Sequence, residues 1–212
     1  MNTTRKKRLG IISGAGPMAG ALFLKKIIKA YQAIGAWKDE DFPLMYLINY
    51  PFSDMLNNGY EYNLIQKELL SCIDELQFKC DYIVITCQTL HLFLSENYQN
   101  EKIIDIFAVL KEFLPNTEIY VAASQTSANN MFHEKKLNRK CQYLQPDKCQ
   151  SLIDKILKGQ EVDISWIERI SKTKPVLLGC TEFSVAFDNL ESSCIDPYPI
   201  LVKKIIHLLD KS

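Results

Sequence analysis

The sequence predicts an α/β fold of two lobes facing each other across a cleft, and three observations lead there. Apolar runs of strand length alternate with longer segments of helical period, which is the pattern of parallel sheets covered by helices. A polar stretch from Ser95 to Lys102 interrupts that alternation and places a division after Asn100. The last helix begins near Asp196-Pro197 and is expected to return to the first half. Residues 1–100 with 197–212 then make the first lobe, and 101–196 the second.

Element by element, strands are read at Leu9–Ser13, Leu44–Asn49, Tyr82–Thr86, Ile119–Ala123 and Val176–Leu178. Each is a short apolar run bounded by polar residues or glycine, as strands buried on both faces require. Helices are read at Pro17–Ile34, Tyr60–Phe78, Gln88–Tyr98, Ile106–Phe113, Pro146–Lys158, Ile164–Ser171 and Pro199–Leu209. Pro17 suits a first helical turn, where its missing N–H removes no hydrogen bond. Parallel strands bring their carboxyl ends to one edge, where ligands of α/β sheets bind.

The bulk composition narrows the function. Twenty-five basic and twenty-five acidic residues in 212 cancel, so no global field gathers nucleic acid or anionic lipid. The basic start, Arg5 to Arg8, reads as a solvated lead-in to a strand. No run of about 18 apolar residues and no signal-peptide pattern is seen, so the protein is placed in the cytoplasm, away from membranes. Seven scattered cysteines do not make a disulfide framework and are read as reduced thiols. The nearest metal-like set, Cys72, Cys80, Cys87 and His91, lacks paired-ligand spacing, so no metal site is read.

Two of the cysteines stand at matched positions. Asp81-Tyr82-Ile83-Val84-Ile85-Thr86 is a strand, and Cys87-Gln88-Thr89 follows at its carboxyl end. Pro175-Val176-Leu177-Leu178-Gly179 repeats the arrangement before Cys180-Thr181-Glu182. Each lobe thus offers one thiol to the cleft. Two thiols on opposite sides of a carbon acid are the minimum for inversion: one, as thiolate, removes the Cα proton while the other protonates the opposite face. No metal or carbonyl cofactor is then needed. A free thiol of pKa near 8.5 is only about 3% ionised at pH 7, so local donors must favour the anion. A helix amino terminus contributes about 0.3–1 kcal/mol, which leaves Thr89, Thr181 and turn N–H groups to bring the pKa near 7. Taken singly, each cysteine also fits a buried structural role.

Other polar residues gather at the same strand ends. Ser13-Gly14-Ala15-Gly16-Pro17 enters a helix through a glycine turn whose N–H groups suit a carboxylate, or it is a tight turn and no more. It is neither a P-loop nor a full G-x-G-x-x-G. Ser124 and Thr126 follow another strand, as carboxylate donors or as helix caps. His91, one turn after Cys87, either tunes that thiol or hydrogen-bonds in the core. Glu182 orients a thiol, binds an ammonium group or complements a helix dipole.

At these residues the chain resembles the aspartate/glutamate racemase family, and its aspartate racemase branch in particular. The shared features are G-x-G-P at Gly14–Pro17, the set Cys87, Thr89 and His91, and G-C-T-E at Gly179–Glu182, where the glutamate branch looks like G-C-T-H. Asp196-Pro197 before the final helix is similar as well. The resemblance implies two similar α/β lobes, pyridoxal-independent inversion by Cys87 and Cys180, an active site between the lobes and a homodimer. The partner would be a small-molecule amino acid held by Ser13, Gly14, Gln88, Thr89, Ser124, Thr126, Thr181 and Met55, with His91 and Glu182 behind the thiols.

Three departures bear on substrate. Gln88 stands where the family has Asn, and Gln125 where it has glycine; both are expected to fill pocket space. The P-D-R of aspartate-specific members reads Ser53-Asp54-Met55, and no Lys or Arg occurs between Glu40 and Gln66. Burying an unpaired distal carboxylate costs several kcal/mol, so a neutral amino acid is favoured unless Lys155 or Lys158 reaches in. Two alternatives stand beside racemisation: a related decarboxylase or isomerase, and a degenerate member that binds an amino acid or a protein partner without turnover.

Overall fold

The computed structural model describes residues 6–55, 59–95, 98–188 and 192–210. Strands β1 (Leu9–Ser13), β2 (Met45–Asn49) and β3 (Tyr82–Ile85) form a parallel sheet in the order β2-β1-β3. Leu9 pairs with both Met45 and Tyr82. Strands β4 (Ile119–Ala122), β5 (Cys141–Tyr143) and β6 (Val176–Leu178) form a second parallel sheet in the order β5-β4-β6. A single parallel bridge extends each sheet at the same place, Ile83 to Ile103 in the first and Leu177 to Ile195 in the second. The α/β architecture of two similar lobes is therefore present.

Helices α1 (Pro17–Ala33), α2 (Tyr62–Gln77), α3 (Ile106–Phe113), α4 (Gln125–Asn129), α5 (Phe132–Leu137), α6 (Pro146–Leu157), α7 (Ser165–Ser171), α8 (Thr181–Ala186) and α9 (Pro197–Asp210) cover the sheets. All five residues of β1 are buried, because helices close both of its faces. In α1 the buried positions Ala19, Phe23, Ile27 and Tyr31 recur every four residues and make one apolar stripe. That stripe belongs to a core joining the two sheets, a single cluster that holds Leu9 and Ile11 together with Phe107, Val121, Leu177, Tyr198 and Leu201. Separate layers lie under α2, with Ile65, Leu69 and Ile73, and under α6 and α7, with Leu152, Ile153 and Ile167. Helix α9 packs on α1 and α3. Asp196 caps it, accepting from the Tyr198 N–H at 3.0 Å.

Several expectations shift. The helix read at Gln88–Tyr98 is a 3-10 turn at Thr89–Phe93, and Glu96 and Asn97 lie outside the described residues. Here His91 Nδ1–H donates to the Cys87 carbonyl at 3.1 Å while the His91 backbone N–H donates to Gln88 O, the i to i+3 spacing of a 3-10 turn. Strand β5 and helices α4, α5 and α8 were not read as elements; three to six residues are too few to show a period. In the basic lead-in, Arg8 bonds Asp81 through both its N–H, at 2.7 Å, and its guanidinium, at 3.3 Å, while Arg5 lies outside the described residues. Among the described residues no helix is long and apolar enough to cross a membrane.

Candidate active site

Both thiol-bearing turns are built by the sheets. Thr86, at the end of β3, is held to Ile12 of β1 by its N–H at 3.0 Å and its hydroxyl at 3.2 Å, and Cys87 follows. Gly179, after β6, donates to Ala122 of β4 at 2.8 Å, and Cys180 then caps α8. The two thiols, 7% and 5% exposed, line one cleft of about 230 Å³. That is below the about 300–1,000 Å³ of drug-sized sites and suits a small ligand. The turn Gly14–Pro17 forms one wall, Phe52 to Met55 another, and Thr89, Glu182 and Leu157 complete it.

The described lining of the cleft is acidic. Asp54 and Glu182 line it, and among its described lining residues none is Lys or Arg. Glu182 Oε2 accepts from Cys180 Sγ at 2.7 Å. Gly16, with φ of 85°, passes so close to Glu182 that a Cβ there would collide with its carboxylate. Burial, followed by the charge of Glu182, pushes Cys87 up to about 12, against the backbone groups of Leu90 and Thr89 and the Thr89 hydroxyl. Burial and Glu182 raise Cys180 well above the usual thiol range, and burial raises Glu182 itself. Both shifts run opposite to the lowering towards 7 that a base role asks of a thiol, and they favour the protonated thiols, with a proton acceptor beside one of them. Among the described residues no three His, Cys, Asp or Glu side chains gather as a metal site needs.

The expected site residues divide into those at the cleft and those behind it. Cys87, Cys180, Gly14, Thr89, Met55 and Glu182 line it. Ser13 does not: its hydroxyl bonds Asn49 Oδ1 at 3.3 Å under Gly20. Ser124 takes its capping role, accepting the Ser127 N–H at 3.2 Å. Thr126 donates to the Met55 carbonyl at 2.9 Å, tying the lobes rather than lining the cleft, and Thr181 is buried outside the lining. Gln88 is 1% exposed and bonds Leu178 O at 2.8 Å, so it fills no cleft space. Gln125 bonds Asp147 at 2.8 Å on another face. Lys155 and Lys158 share that face and not the cleft. His91 is buried behind Cys87, edge-on to Phe107 at 5.6 Å, and burial lowers its pKa.

Five residues at or behind the cleft lie beyond the sequence reading. Phe52 and Asp54 line the cleft from the loop after β2, and their place at that sheet edge is the signal the sequence carries for them. Glu68 fixes that loop by accepting from Ser53 through N–H, at 2.9 Å, and hydroxyl, at 2.7 Å; Leu56, Asn57 and Asn58 of the loop lie outside the described residues. Leu157 reaches the cleft from the end of α6. His133 stands behind it, bonded to Gln88, and no spacing in the chain announced it.

No family model and no curated protein matches this chain. Solved structures do match. The chain is similar to an aspartate racemase of Picrophilus torridus, with a TM-score of 0.78 and 21% identity over 97% of this chain and 95% of that one. It is similar to an aspartate racemase homologue from Pyrococcus horikoshii OT3, with a TM-score of 0.71 and 19% identity over 97% and 100%. A glutamate racemase from Campylobacter jejuni subsp. jejuni matches with a TM-score of 0.61 and 15% identity over 97% and 88%. At these identities the likeness establishes a shared fold.

Proposed function

We propose that this fold carries a cofactor-independent α-amino-acid racemase or epimerase with Cys87 and Cys180 as its acid/base pair. One observation supports it above the rest: thiols from the ends of β3 and β6, one from each sheet, line a single small cleft. In this reading the α-carboxylate rests on the N–H groups of the Gly14–Gly16 turn at the amino end of α1 and on Thr89. The ammonium group faces Asp54 and Glu182. As it approaches, its charge offsets that of Glu182 and eases ionisation of the thiol beside it. One cysteine, as thiolate, takes the Cα proton; the other delivers its S–H proton to the opposite face, and the pair ends with its protonation exchanged.

The side chain of the substrate meets Phe52, Met55 and Leu157, which favours a neutral amino acid over aspartate. The lobes of this reading are residues 1–100 with 197–212, and 101–196. The test is Cα deuterium incorporation in D2O across a panel of L- and D-amino acids, with Cys87→Ser and Cys180→Ser as controls. We expect exchange with a neutral amino acid and its loss in both variants without matching loss of stability, since an alkoxide is far harder to generate at neutral pH. Absence of exchange with every amino acid would overturn the reading in favour of a binding protein.

A further inference from the structure

We propose that Gln88 is a positioning residue that sets the spacing of the two thiols by bracing one lobe against the other behind the cleft; this rests on the two-thiol reading above. Gln88 immediately follows Cys87, and its Nε2 donates to the carbonyl of Leu178, two residues before Cys180, at 2.8 Å. Its Oε1 lies 3.3 Å from His133 Nε2. The amide therefore connects the turn that carries one thiol to the strand that carries the other.

The chemistry allows one arrangement of this brace. A carbonyl oxygen only accepts, so the amide nitrogen must face Leu178 and the amide oxygen must face His133. His133 must then donate, and its ring is the Nε2–H tautomer; the ring also bonds the Gly179 backbone, and Nδ1 has no partner among the described residues. The far end is fixed. His133 is fully buried, its N–H bonds the Tyr143 hydroxyl at 2.9 Å, and its ring stands edge-on to Phe132, Phe107 and Tyr143 at 5.4 to 5.9 Å. Burial lowers its pKa to about 4, so the bond stays between neutral partners at ordinary pH. The residue before Cys180 is glycine because a Cβ there would lie 2.5 Å from Val121 Cγ1 and 2.8 Å from His133 Nε2, so the ring packs directly on this turn.

Length gives the brace its specificity. Asparagine at this position would withdraw the amide by one C–C bond, about 1.5 Å, too far to hold both partners. A misplacement of about 1 Å between reacting groups costs up to about a hundredfold in rate. Gln88 touches no cleft surface, so its loss should act on kcat and leave KM alone.

The first measurement needs no activity. Nitrogen-15 NMR of the wild-type imidazoles should show His133 as the Nε2–H tautomer, whereas the Nδ1–H form would overturn the brace. The second compares Gln88→Asn and Gln88→Met with wild type in Cα exchange, per folded protein. The expected result is a fall in kcat of about tenfold to a hundredfold with KM within about twofold. A raised KM at unchanged kcat would make Gln88 a substrate contact, and no change in either would make it ordinary core; both outcomes overturn the proposal. If wild type exchanges no amino acid, the racemase reading fails by itself. The brace is then decided by the tautomer and by whether the His133 Nε2–H resonance shifts in Gln88→Asn.

Discussion

Glu182→Gln removes one buried charge while keeping the side chain's volume, and it tests what holds the two thiols protonated. Glu182 stands 2.7 Å from Cys180 and its charge raises both Cys180 and Cys87. Two unit charges about 4 Å apart at an effective dielectric of about 20 interact by about 4 kcal/mol, near three pKa units. The open mouth of the cleft weakens this, and the direction expected at Cys180 is a fall. Cys87, which feels the charge without a hydrogen bond, should fall less. Below its pKa, each unit multiplies the thiolate fraction by ten, and alkylation follows the thiolate. Iodoacetamide labelling at a fixed mildly alkaline pH, resolved by site with mass spectrometry, should therefore accelerate at Cys180 by about tenfold to a thousandfold. Cys194, partly exposed and outside the cleft lining, serves as the internal reference. Unchanged or slower labelling of Cys180 would refute the reasoning and leave burial alone as the cause of its high pKa.

Two further outcomes follow from the same geometry. Met55→Arg should raise kcat/KM for aspartate by about tenfold to a hundredfold, the worth of one charged hydrogen bond, and Gln88 and Gln125 need no change because neither lines the cleft. Efficient aspartate turnover by the unmodified protein, measured beside a neutral amino acid, would show the premise wrong. The second outcome concerns acid. Unfolded histidine takes a proton near 6.5, whereas buried His133 refuses it until about 4, so its contribution is present above pH 6.5 and lost as pH falls towards 4. The loss is about 3 kcal/mol, with His91 shifted in the same direction. Urea unfolding across that interval should show the decline, and His133→Gln should reduce its slope; an unaltered slope would count against a neutral buried His133.

By itself the sequence determined the strands that carry the thiols and the edge at which they emerge. Short apolar runs such as Ile83-Val84-Ile85 and Val176-Leu177-Leu178, bounded by polar residues or glycine, suit strands covered on both faces, and Cys87 and Cys180 lie just past their ends. The turn at Gly14 and Gly16 was legible for the same kind of reason: both glycines have positive φ, and a side chain at either would strike Tyr50 or Glu182. The tertiary structure decided which of the polar residues at that edge reach the cleft. Ser124, Thr126 and Gln88 all follow strands, yet their partners are Ser127, the Met55 carbonyl, and Leu178 with His133. Met55 is 71 residues from Thr126, and Leu178 is 90 from Gln88, so no local pattern encodes either bond. The thiol electrostatics were decided there too. A single turn offers a thiolate only a fraction of a pKa unit, whereas packing the second lobe against the first buries both sulfurs beside Glu182, and that larger effect sets their protonation.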